Sequence, residues 1–405
     1  MRITGLRCAV IGEHPTVRIT TDEGLDGFGQ VEAYKPWLTP VVLHFAPFVV
    51  GHDPTDVERV LQRIRRLGGT KPWGSAVSAI EMALWDIAGK AAGVPVHKLL
   101  GGKVRDRVRV YNGGVRTPMT GQQPADYARA AAFSRDAPEG FTIVKEGVAF
   151  HGPMASATPG FFYGDPRTGP PHPDGGLITE RGMDHVVDCV EAMKAELGDG
   201  IGLALDCGPG WTVSDAIRFA RRVEHLNLLW VEDLLSGDYT PWNDVAAYRE
   251  VTTSTTTPTH TGEQLYLRQG FRELIEQRAV RVIGPDPADV GGLAELKWIA
   301  EHAQLYGIGV APHGVWDGLI GLAAHIQLGA ALPDNFIAFE YPVAQPSWWY
   351  DIVDGLPDPI VRDGHIVVGD RPGLGITLDP ERTGEHLRPE DRDFFAWPAR
   401  AAERA

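Results

Sequence analysis

Cysteine is scarce in this chain, and long apolar runs are missing from it. The three cysteines, Cys8, Cys189 and Cys207, are odd in number and lack the spacing of a metal-binding motif. They predict free thiols in a reducing compartment rather than a disulfide framework. The chain has no run of about 18 apolar residues, as a transmembrane helix requires, and its first residues lack the apolar core and cleavage site of a signal peptide. We therefore expect a soluble, cytoplasmic protein.

Positive charge is also in short supply. Lys and Arg number 38 against 53 Asp and Glu, which gives a formal net charge of −15 and a pI near 5.4. This balance argues against nucleic acid and against an anionic membrane surface as partners. An acidic small molecule remains open as a substrate, because a bound dication can reverse the local charge.

The order of the predicted elements divides the chain into three parts. Its 405 residues, of which 43% are hydrophobic, suffice for two domains or for a large α/β barrel with an addition. Residues 1–108 show a β-hairpin pattern, TTDEGLDGFG, followed by helices, and predict an α+β domain. Its best-defined helix is predicted from Ser75, as N-cap, to Gly93, as the terminating glycine. Residues 109–363 alternate strand and helix patterns, and residues 364–405 are expected to fold back onto the N-terminal domain.

Strand-like runs in the second half of the chain end in polar or acidic residues. Six such runs end at Asp206, Glu232, Glu263, Asp286, His313 and Glu340. Their spacing is close to the roughly 30 residues of a βαβ unit. With two earlier runs, RVRVYNG and FTIVKEGV, they make the eight strands of a parallel barrel. Functional residues of such barrels lie at the carboxyl ends of the strands, so we expect these six side chains at one rim.

The first three of these residues are carboxylates on consecutive strands. Asp206, Glu232 and Glu263 would repel one another strongly without a cation between them. Mg²⁺ suits ligation by oxygen alone and keeps positions open for water or substrate. The pattern therefore predicts that the three carboxylates hold Mg²⁺ at the barrel mouth.

In these motifs the chain resembles the enolase superfamily, and within it the mandelate racemase-like subgroup. The subgroup's metal ligands match LALDCG, WVEDL and HTGEQ, and the segments SAIEMALWDIAGKAAGVPVHKLLGG and PGLGITLD are also typical of the superfamily. The resemblance covers nearly the whole chain. It implies an α/β fold, namely a modified TIM barrel of (β/α)7β type with an N-terminal α+β capping domain that the C-terminal segment completes.

The resemblance also implies catalytic roles. The subgroup pairs an Asp and a His on strands six and seven, which match Asp286 in PDPADVGG and His313 in APHG, and its strand-eight glutamate matches Glu340. Enolase-superfamily sites are themselves a standard example of a Lys or His base beside a metal-stabilised ene-diolate. His313, oriented by Asp286, would remove the α-proton of a carboxylate substrate. Glu340, if protonated, would donate a hydrogen bond to the enediolate.

One departure from the subgroup bears on the reaction. The subgroup carries Lys-x-Lys on strand two, whereas GFTIVKEGV has Lys145 and then Gly147. A racemase needs a base on each face of the enediolate, while His313 alone can complete a syn elimination of water. The missing lysine favours a dehydratase in which Lys145 helps to stabilise the enediolate. A shifted strand that brings Lys145 to the substrate as a base is an alternative.

The irregular stretch between predicted strands two and three offers another base. Long loops without regular structure in compact domains are usually functional or disordered. Tyr163 in GFFYGD resembles a tyrosine of the mannonate and gluconate dehydratase branch, and Lys145 stands where that branch has an arginine. That branch also has a histidine where this chain has Gly208, so membership of the branch, and with it Tyr163 as a base, stays open.

Specificity is expected from the capping domain, whose loops cover the barrel mouth in the family. The matching segments are GQVEAYKPW and GGTKPWG. Their candidate substrate-binding residues are Tyr34, Lys35, Trp37, Lys71 and Trp73. Loop aromatics also serve subunit interfaces, so a packing role is the alternative for each.

The leading hypothesis is a Mg²⁺-dependent hydro-lyase of carbohydrate acid catabolism. It would convert a hexonate, pentonate or aldarate to the 2-keto-3-deoxy acid. The alternatives are a racemase, epimerase or cycloisomerase on the same scaffold, and a metal-binding regulatory protein without catalytic activity. The resemblance also implies a homo-oligomer.

Overall fold

A computed structural model gives the fold and begins with a small antiparallel sheet covered by helices. The residues described are 1–33, 35–67, 73–164, 177–237, 243–314, 318–342 and 348–397. The first elements are β1 (Ile3–Ile11), β2 (His14–Thr21), β3 (Asp26–Gln30), α1 (Thr39–His44), α2 (Ala46–Val49), α3 (Val57–Ile64), α4 (Gly74–Ala92) and α5 (Val96–Leu99). The sheet order is β1–β2–β3, and the predicted hairpin is the connection between β2 and β3. We call these elements the cap.

Helix α4 is the centre of the cap and lies directly against β3. A side chain at Gly29 would collide with the backbone of α4, so only glycine permits this approach. The helix ends at Gly93, in a left-handed conformation with φ of 68°, as predicted. The prediction of Ser75 as N-cap is wrong, because α4 begins at Gly74. The Ser75 hydroxyl donates instead to the carboxylate of Asp289 in the barrel, a distant partner that local sequence does not reveal.

Eight short parallel strands form the barrel. They are β4 (Arg107–Tyr111), β5 (Ile143–Gly147), β6 (Gly202–Asp206), β7 (Trp230–Glu232), β8 (Thr259–Thr261), β9 (Val282–Ile283), β10 (Gly309–Val310) and β11 (Phe339–Glu340). Strands β5 to β10 make one six-stranded sheet, and β11 pairs with β4 in parallel. A bridge between Val310 and Phe336 links β10 to the run before β11. Between β4 and β5, the Asn112 side chain accepts a hydrogen bond from the Lys145 backbone N–H at 2.7 Å.

Helices connect each strand of the barrel to the next. They are α6 (Pro124–Arg135), α7 (Met154–Ala157), α8 (Glu180–Leu197), α9 (Val213–Arg222), α10 (Val245–Thr253), α11 (Leu267–Glu276), α12 (Leu293–Leu305) and α13 (Leu319–Ala331). The β5–β6 connection carries two of them, the short α7 and the long α8. The predicted α/β fold, a parallel barrel with an N-terminal cap, is confirmed.

The part of the chain that follows β11 returns to both the barrel and the cap. Its elements are α14 (Trp349–Ile352), β12 (Val353–Asp354), β13 (His365–Val367), β14 (Thr377–Leu378) and α15 (Pro380–Gly384). The Val96 backbone N–H in the cap donates to the Gly373 carbonyl at 2.9 Å. The Arg18 guanidinium, also in the cap, donates to the Phe394 carbonyl at 2.9 Å. These hydrogen bonds attach the region from Gly373 to Phe394 to the cap.

The predicted C-terminal part is joined to the barrel as well as to the cap. Strand β13, in the predicted C-terminal part, pairs with barrel strand β4 rather than with the cap. The boundaries at 1–108, 109–363 and 364–405 therefore remain predictions. Within the described ranges, no helix is both long enough and apolar enough to cross a bilayer.

Asp86 of α4 joins the cap sheet to the C-terminal segment. Its carboxylate accepts hydrogen bonds from the backbone N–H of Phe28 at 3.1 Å and of Leu374 at 2.8 Å. The Lys90 ammonium donates to it at 2.7 Å. The side chain is buried, so no water can replace these contacts.

Replacing Asp86 with Ala should therefore destabilise the protein by about 3–5 kcal/mol, because two buried N–H groups and an ammonium lose their acceptor. Urea unfolding followed by circular dichroism measures this free energy. Asp86→Asn is the matched control, since its carbonyl keeps one acceptor, and it should lose less. Equal stability of the Ala variant and the wild type would contradict this account.

Candidate active site at the barrel mouth

The carboxyl ends of the strands bring the six predicted strand-end residues into one region. Asp206, Glu232 and Glu340 are the last residues of β6, β7 and β11, and the other three follow β8, β9 and β10 within a few residues. All six side chains belong to the buried set. Parallel strands all point their carboxyl ends at the same rim of a barrel, which explains why residues far apart in sequence meet here.

Lys145 of β5 lies among the carboxylates. Its ammonium donates to Glu232 at 3.0 Å and to Glu340 at 3.3 Å, and it is 3.8 Å from the nearer oxygen of Asp206. Burial alone would lower the pKa of Lys145, but the charges of Glu232 and Glu340 outweigh burial and raise that pKa well above its ordinary value. The Lys145 ammonium therefore lies among these carboxylates as a positive charge in this arrangement, and its role towards a substrate stays a prediction.

His313 and Asp286 form a buried pair. The His313 Nδ1 atom lies 2.7 Å from an Asp286 carboxylate oxygen, and the other oxygen accepts the Ala288 backbone N–H at 2.7 Å. The opposite ring nitrogen, Nε2, lies 3.3 Å from Glu263 and 3.8 Å from Glu340. Burial would lower the pKa of His313, but Glu263 and the hydrogen bond to Asp286 raise it well above its ordinary value. Asp286 thus orients the ring so that Nε2 faces the cluster.

The acidic residues at the mouth can hold a metal ion. Oxygen atoms of Glu232, Asp233 and Glu263 lie within 4.8 Å of one another. Burial, together with the charges of Glu263 and Glu232, raises the pKa of Asp233 well above its ordinary value. This excess of negative charge, presented by oxygen donors, fits a hard cation.

Asp233 is a residue that our reading of the sequence missed. It adopts a left-handed conformation, with φ of 54°, and accepts a hydrogen bond from the Thr261 hydroxyl at 2.6 Å. The left-handed turn directs two consecutive side chains, Glu232 and Asp233, to the same cluster. The acidic pair in WVEDL was the available signal.

The cap approaches the His313–Asp286 pair through Glu32, just after β3. Carboxylate oxygens of Glu32 and Asp286 and a ring nitrogen of His313 lie within 4.8 Å of one another. Burial and the charge of Asp289 raise the pKa of Glu32 to about 7. Lys35, predicted to bind substrate, is paired with Glu32 and lies 2.7 Å from Asp289. Its ammonium therefore links the cap to the loop after β9.

The other predicted substrate-binding and loop residues that the structure describes are exposed. Trp37 and Trp73 are 46% and 48% exposed, and Tyr163 is 69% exposed. Tyr34 and Lys71 lie outside the described residues. The structure therefore gives Tyr163 no buried contact of the kind that His313 has with Asp286, and its role as a base stays a prediction.

Family models match most of the chain. The model described as "Enolase C-terminal domain-like" matches residues 128–382. The model for the N-terminal domain of mandelate racemase / muconate lactonizing enzyme matches residues 12–101. The two matches correspond to the barrel and the cap.

Relatives resemble the chain over nearly its full length. A D-xylonate dehydratase of Haloferax volcanii is 34% identical over 396 residues, which cover 95% of this chain and 89% of that protein. A D-galactonate dehydratase of Xanthomonas axonopodis pv. citri is 29% identical over 377 residues, which cover 90% of this chain and 88% of that protein.

Solved structures show the same likeness. A mandelate racemase/muconate lactonizing enzyme-like protein from Rubrobacter xylanophilus has a TM-score of 0.81 at 34% identity, covering 96% of this chain and 98% of its own. The 3,6-anhydro-D-galactonate cycloisomerase from Zobellia galactanivorans has a TM-score of 0.76 at 25% identity, covering 96% of this chain and 100% of its own.

A buried histidine behind the site makes stability depend on pH. His325 of α13 stacks on Phe339 of β11, with ring centroids 4.8 Å apart. Burial lowers its pKa from 6.5 to about 4. The unfolded chain therefore binds a proton that the folded chain does not bind between these values, and stability falls as the pH falls from 6.5 towards 4.

The titration of His325 alone should lower the free energy of unfolding by about 3 kcal/mol between pH 7 and pH 4. The free energy of unfolding of His325→Gln, which carries no titrating ring, should fall less steeply over that range. Denaturant unfolding of both proteins at a series of pH values measures the two slopes. Parallel profiles would show that His325 titrates normally.

Proposed function

Because the chain belongs to the mandelate racemase / muconate lactonizing enzyme family of the enolase superfamily, we propose that it is a hydro-lyase that dehydrates a sugar acid to a 2-keto-3-deoxy acid. The observation that carries this proposal is the buried His313–Asp286 pair facing a cluster of carboxylates. Relatives named as D-xylonate and D-galactonate dehydratases support the same reaction class.

We propose that Asp206, Glu232 and Glu263 hold Mg²⁺. Oxygen atoms of Glu232 and Glu263 lie within 4.8 Å of each other and of Asp233, and Asp206 lies 3.8 Å from the Lys145 ammonium that also contacts Glu232. The crowded negative charge around Asp233 also supports the assignment. When bound, such an ion supplies positive charge to the carboxylate end of the substrate. Lys145, protonated and in contact with Glu232 and Glu340, adds a second positive charge at the same place.

The residues of the chain suit a syn elimination. Asp286 accepts the Nδ1–H of His313, which leaves Nε2 to take the proton from the substrate α-carbon. In its protonated form, Glu340, which lies between Lys145 and His313, donates a hydrogen bond to the enediolate oxygen. The proton on Nε2 then passes to the departing β-hydroxyl on the same face, so that the C–O bond breaks and water leaves. The resulting enol rearranges to the 2-keto acid.

His313→Asn should lower kcat by about 10²–10⁴-fold, because it removes the group that transfers the proton. The wild type and the variant are assayed with Mg²⁺ on C5 and C6 aldonates and aldarates, including D-xylonate and D-galactonate, and the 2-keto product is measured. His225→Asn, an exposed histidine on the barrel exterior, is the matched control and should keep full activity. A His313→Asn variant that is folded and as active as the wild type would overturn the assignment.

The alternatives predict different outcomes of the same assay run in D₂O. A racemase or epimerase exchanges deuterium into recovered substrate and forms no 2-keto acid. A cycloisomerase forms a product without loss of water. A wild type that turns over no acid sugar would favour the regulatory, non-catalytic alternative.

Removal of divalent ions should abolish the activity. Treatment with EDTA followed by desalting is expected to stop dehydration, and added Mg²⁺ is expected to restore it. Glu232→Gln should weaken Mg²⁺ binding in calorimetry, because a neutral amide replaces a ligand charge. Full activity of the EDTA-treated protein without added ion would contradict the proposed metal site.

We also propose that the protein is a cytoplasmic homo-oligomer. Cys8, Cys189 and Cys207 are free and buried, which fits a reducing compartment. The exposed Trp37 and Trp73 on the cap provide apolar area for a subunit contact. Light scattering after size-exclusion chromatography tests the assembly.

A further inference from the structure

His151 lies in the connection that follows β5 and turns across the end of β6. The Val148 backbone N–H donates to the Asp206 carbonyl at 2.8 Å, and the Phe150 N–H donates to the Cys207 carbonyl at 3.1 Å. The His151 N–H then closes a turn by donating to the Val148 carbonyl at 3.0 Å. The backbone of β6 therefore fixes the place of this histidine at the rim, although it precedes β6 by many residues.

Two glycines leave room for His151. A side chain at Gly147, the last residue of β5, would collide with the His151 ring. A Cβ at Gly208, whose φ of +61° already disfavours other residues, would lie 2.6 Å from the His151 backbone nitrogen. Gly147 thus leaves space for the His151 ring, and Gly208 leaves space for the backbone that carries it.

The His151 ring contacts one carboxylate oxygen of Asp206, a predicted metal ligand. His151 Nδ1 lies 3.2 Å from Oδ1 of Asp206, the oxygen that also accepts the Gly208 backbone N–H at 3.2 Å. The other oxygen, Oδ2, is the one near Lys145, at 3.8 Å. The Gly208 N–H therefore hydrogen-bonds to Oδ1, the His151 ring is within ion-pair distance of the same oxygen, and Oδ2 is left towards the carboxylate cluster. Partners of this kind orient metal-binding carboxylates and affect metal affinity.

We propose that His151 is a positioning residue for the metal site: it fixes the orientation of Asp206, and the glycines at 147 and 208 are what admit it. The inference rests on the proposed function in so far as Asp206 is a metal ligand. His151 acts through Asp206 and not by itself on the substrate. Its side chain is 31% exposed.

Mg²⁺ affinity, measured by calorimetry on EDTA-treated protein, tests the proposal. His151→Ala should weaken binding by about 10–100-fold, as expected when a partner of a ligand is lost. His151→Asn, whose amide nitrogen can take the place of Nδ1, should restore most of the affinity. In the Ala variant, saturating Mg²⁺ should recover most of the lost kcat/KM, which a general loss of structure would not allow.

Gly147→Ala provides an independent test without touching the histidine. Its methyl group should displace the ring and weaken Mg²⁺ binding about as much as His151→Ala does. The double variant should be no weaker than either single variant, because both changes remove the same contact. Gly200→Ala is the matched control, since no atom lies near the position of its Cβ, and it should bind Mg²⁺ as the wild type does.

Wild-type Mg²⁺ affinity in a folded His151→Ala or Gly147→Ala protein would overturn the proposal, as would additive losses in the double variant. If His151→Ala fails to fold, the Gly147→Ala and His151→Asn proteins decide the matter. The binding measurement does not depend on turnover. If no sugar acid is dehydrated but the affinities change as expected, the positioning role stands and the proposed reaction fails.

Discussion

Mutual repulsion among buried carboxylates dominates the barrel mouth. The parallel strands force Asp206, Glu232 and Glu263 to one rim, and Asp233 adds a fourth acidic group there. Burying charges without compensation costs several kcal/mol per ion, so such a cluster persists only with positive charge nearby. Lys145 supplies part of this compensation from within the fold. A bound dication would supply the rest, and the same positive charge is what a reacting carboxylate needs.

The cap contacts the His313–Asp286 pair and the loop after β9 directly. Lys35 is paired with Glu32 in the cap and with Asp289 in the loop after β9, and Glu32 itself approaches Asp286 and His313. The loop after β9, which carries Asp286, is therefore attached to the cap by the ion pair between Lys35 and Asp289. Substitutions of Glu32 or Lys35 in the cap should therefore alter the orientation of the His313 ring.

The fold alone does not choose the reaction. A cycloisomerase shares this architecture, while a relative that matches nearly the whole chain is named a D-xylonate dehydratase, so the outcome depends on which groups surround the enediolate. Here Lys145 is bound to Glu232 and Glu340, which hold it as a positive charge, and Gly147 offers no side chain. The proposed elimination of water needs only one group for both proton transfers, and His313, whose Nε2 faces the carboxylates, is proposed for that role.

The sequence by itself determined the barrel, the cap and the set of strand-end residues from Asp206 to Glu340. It could do so because strand periodicity, spacing and strand-end position are local properties of the chain. Only the tertiary structure decided that Ser75 binds Asp289 instead of capping its helix and that His151 meets Asp206. These contacts join segments that are distant in sequence, and their partners are chosen by packing and by charge compensation in three dimensions. No local pattern of residues encodes that choice.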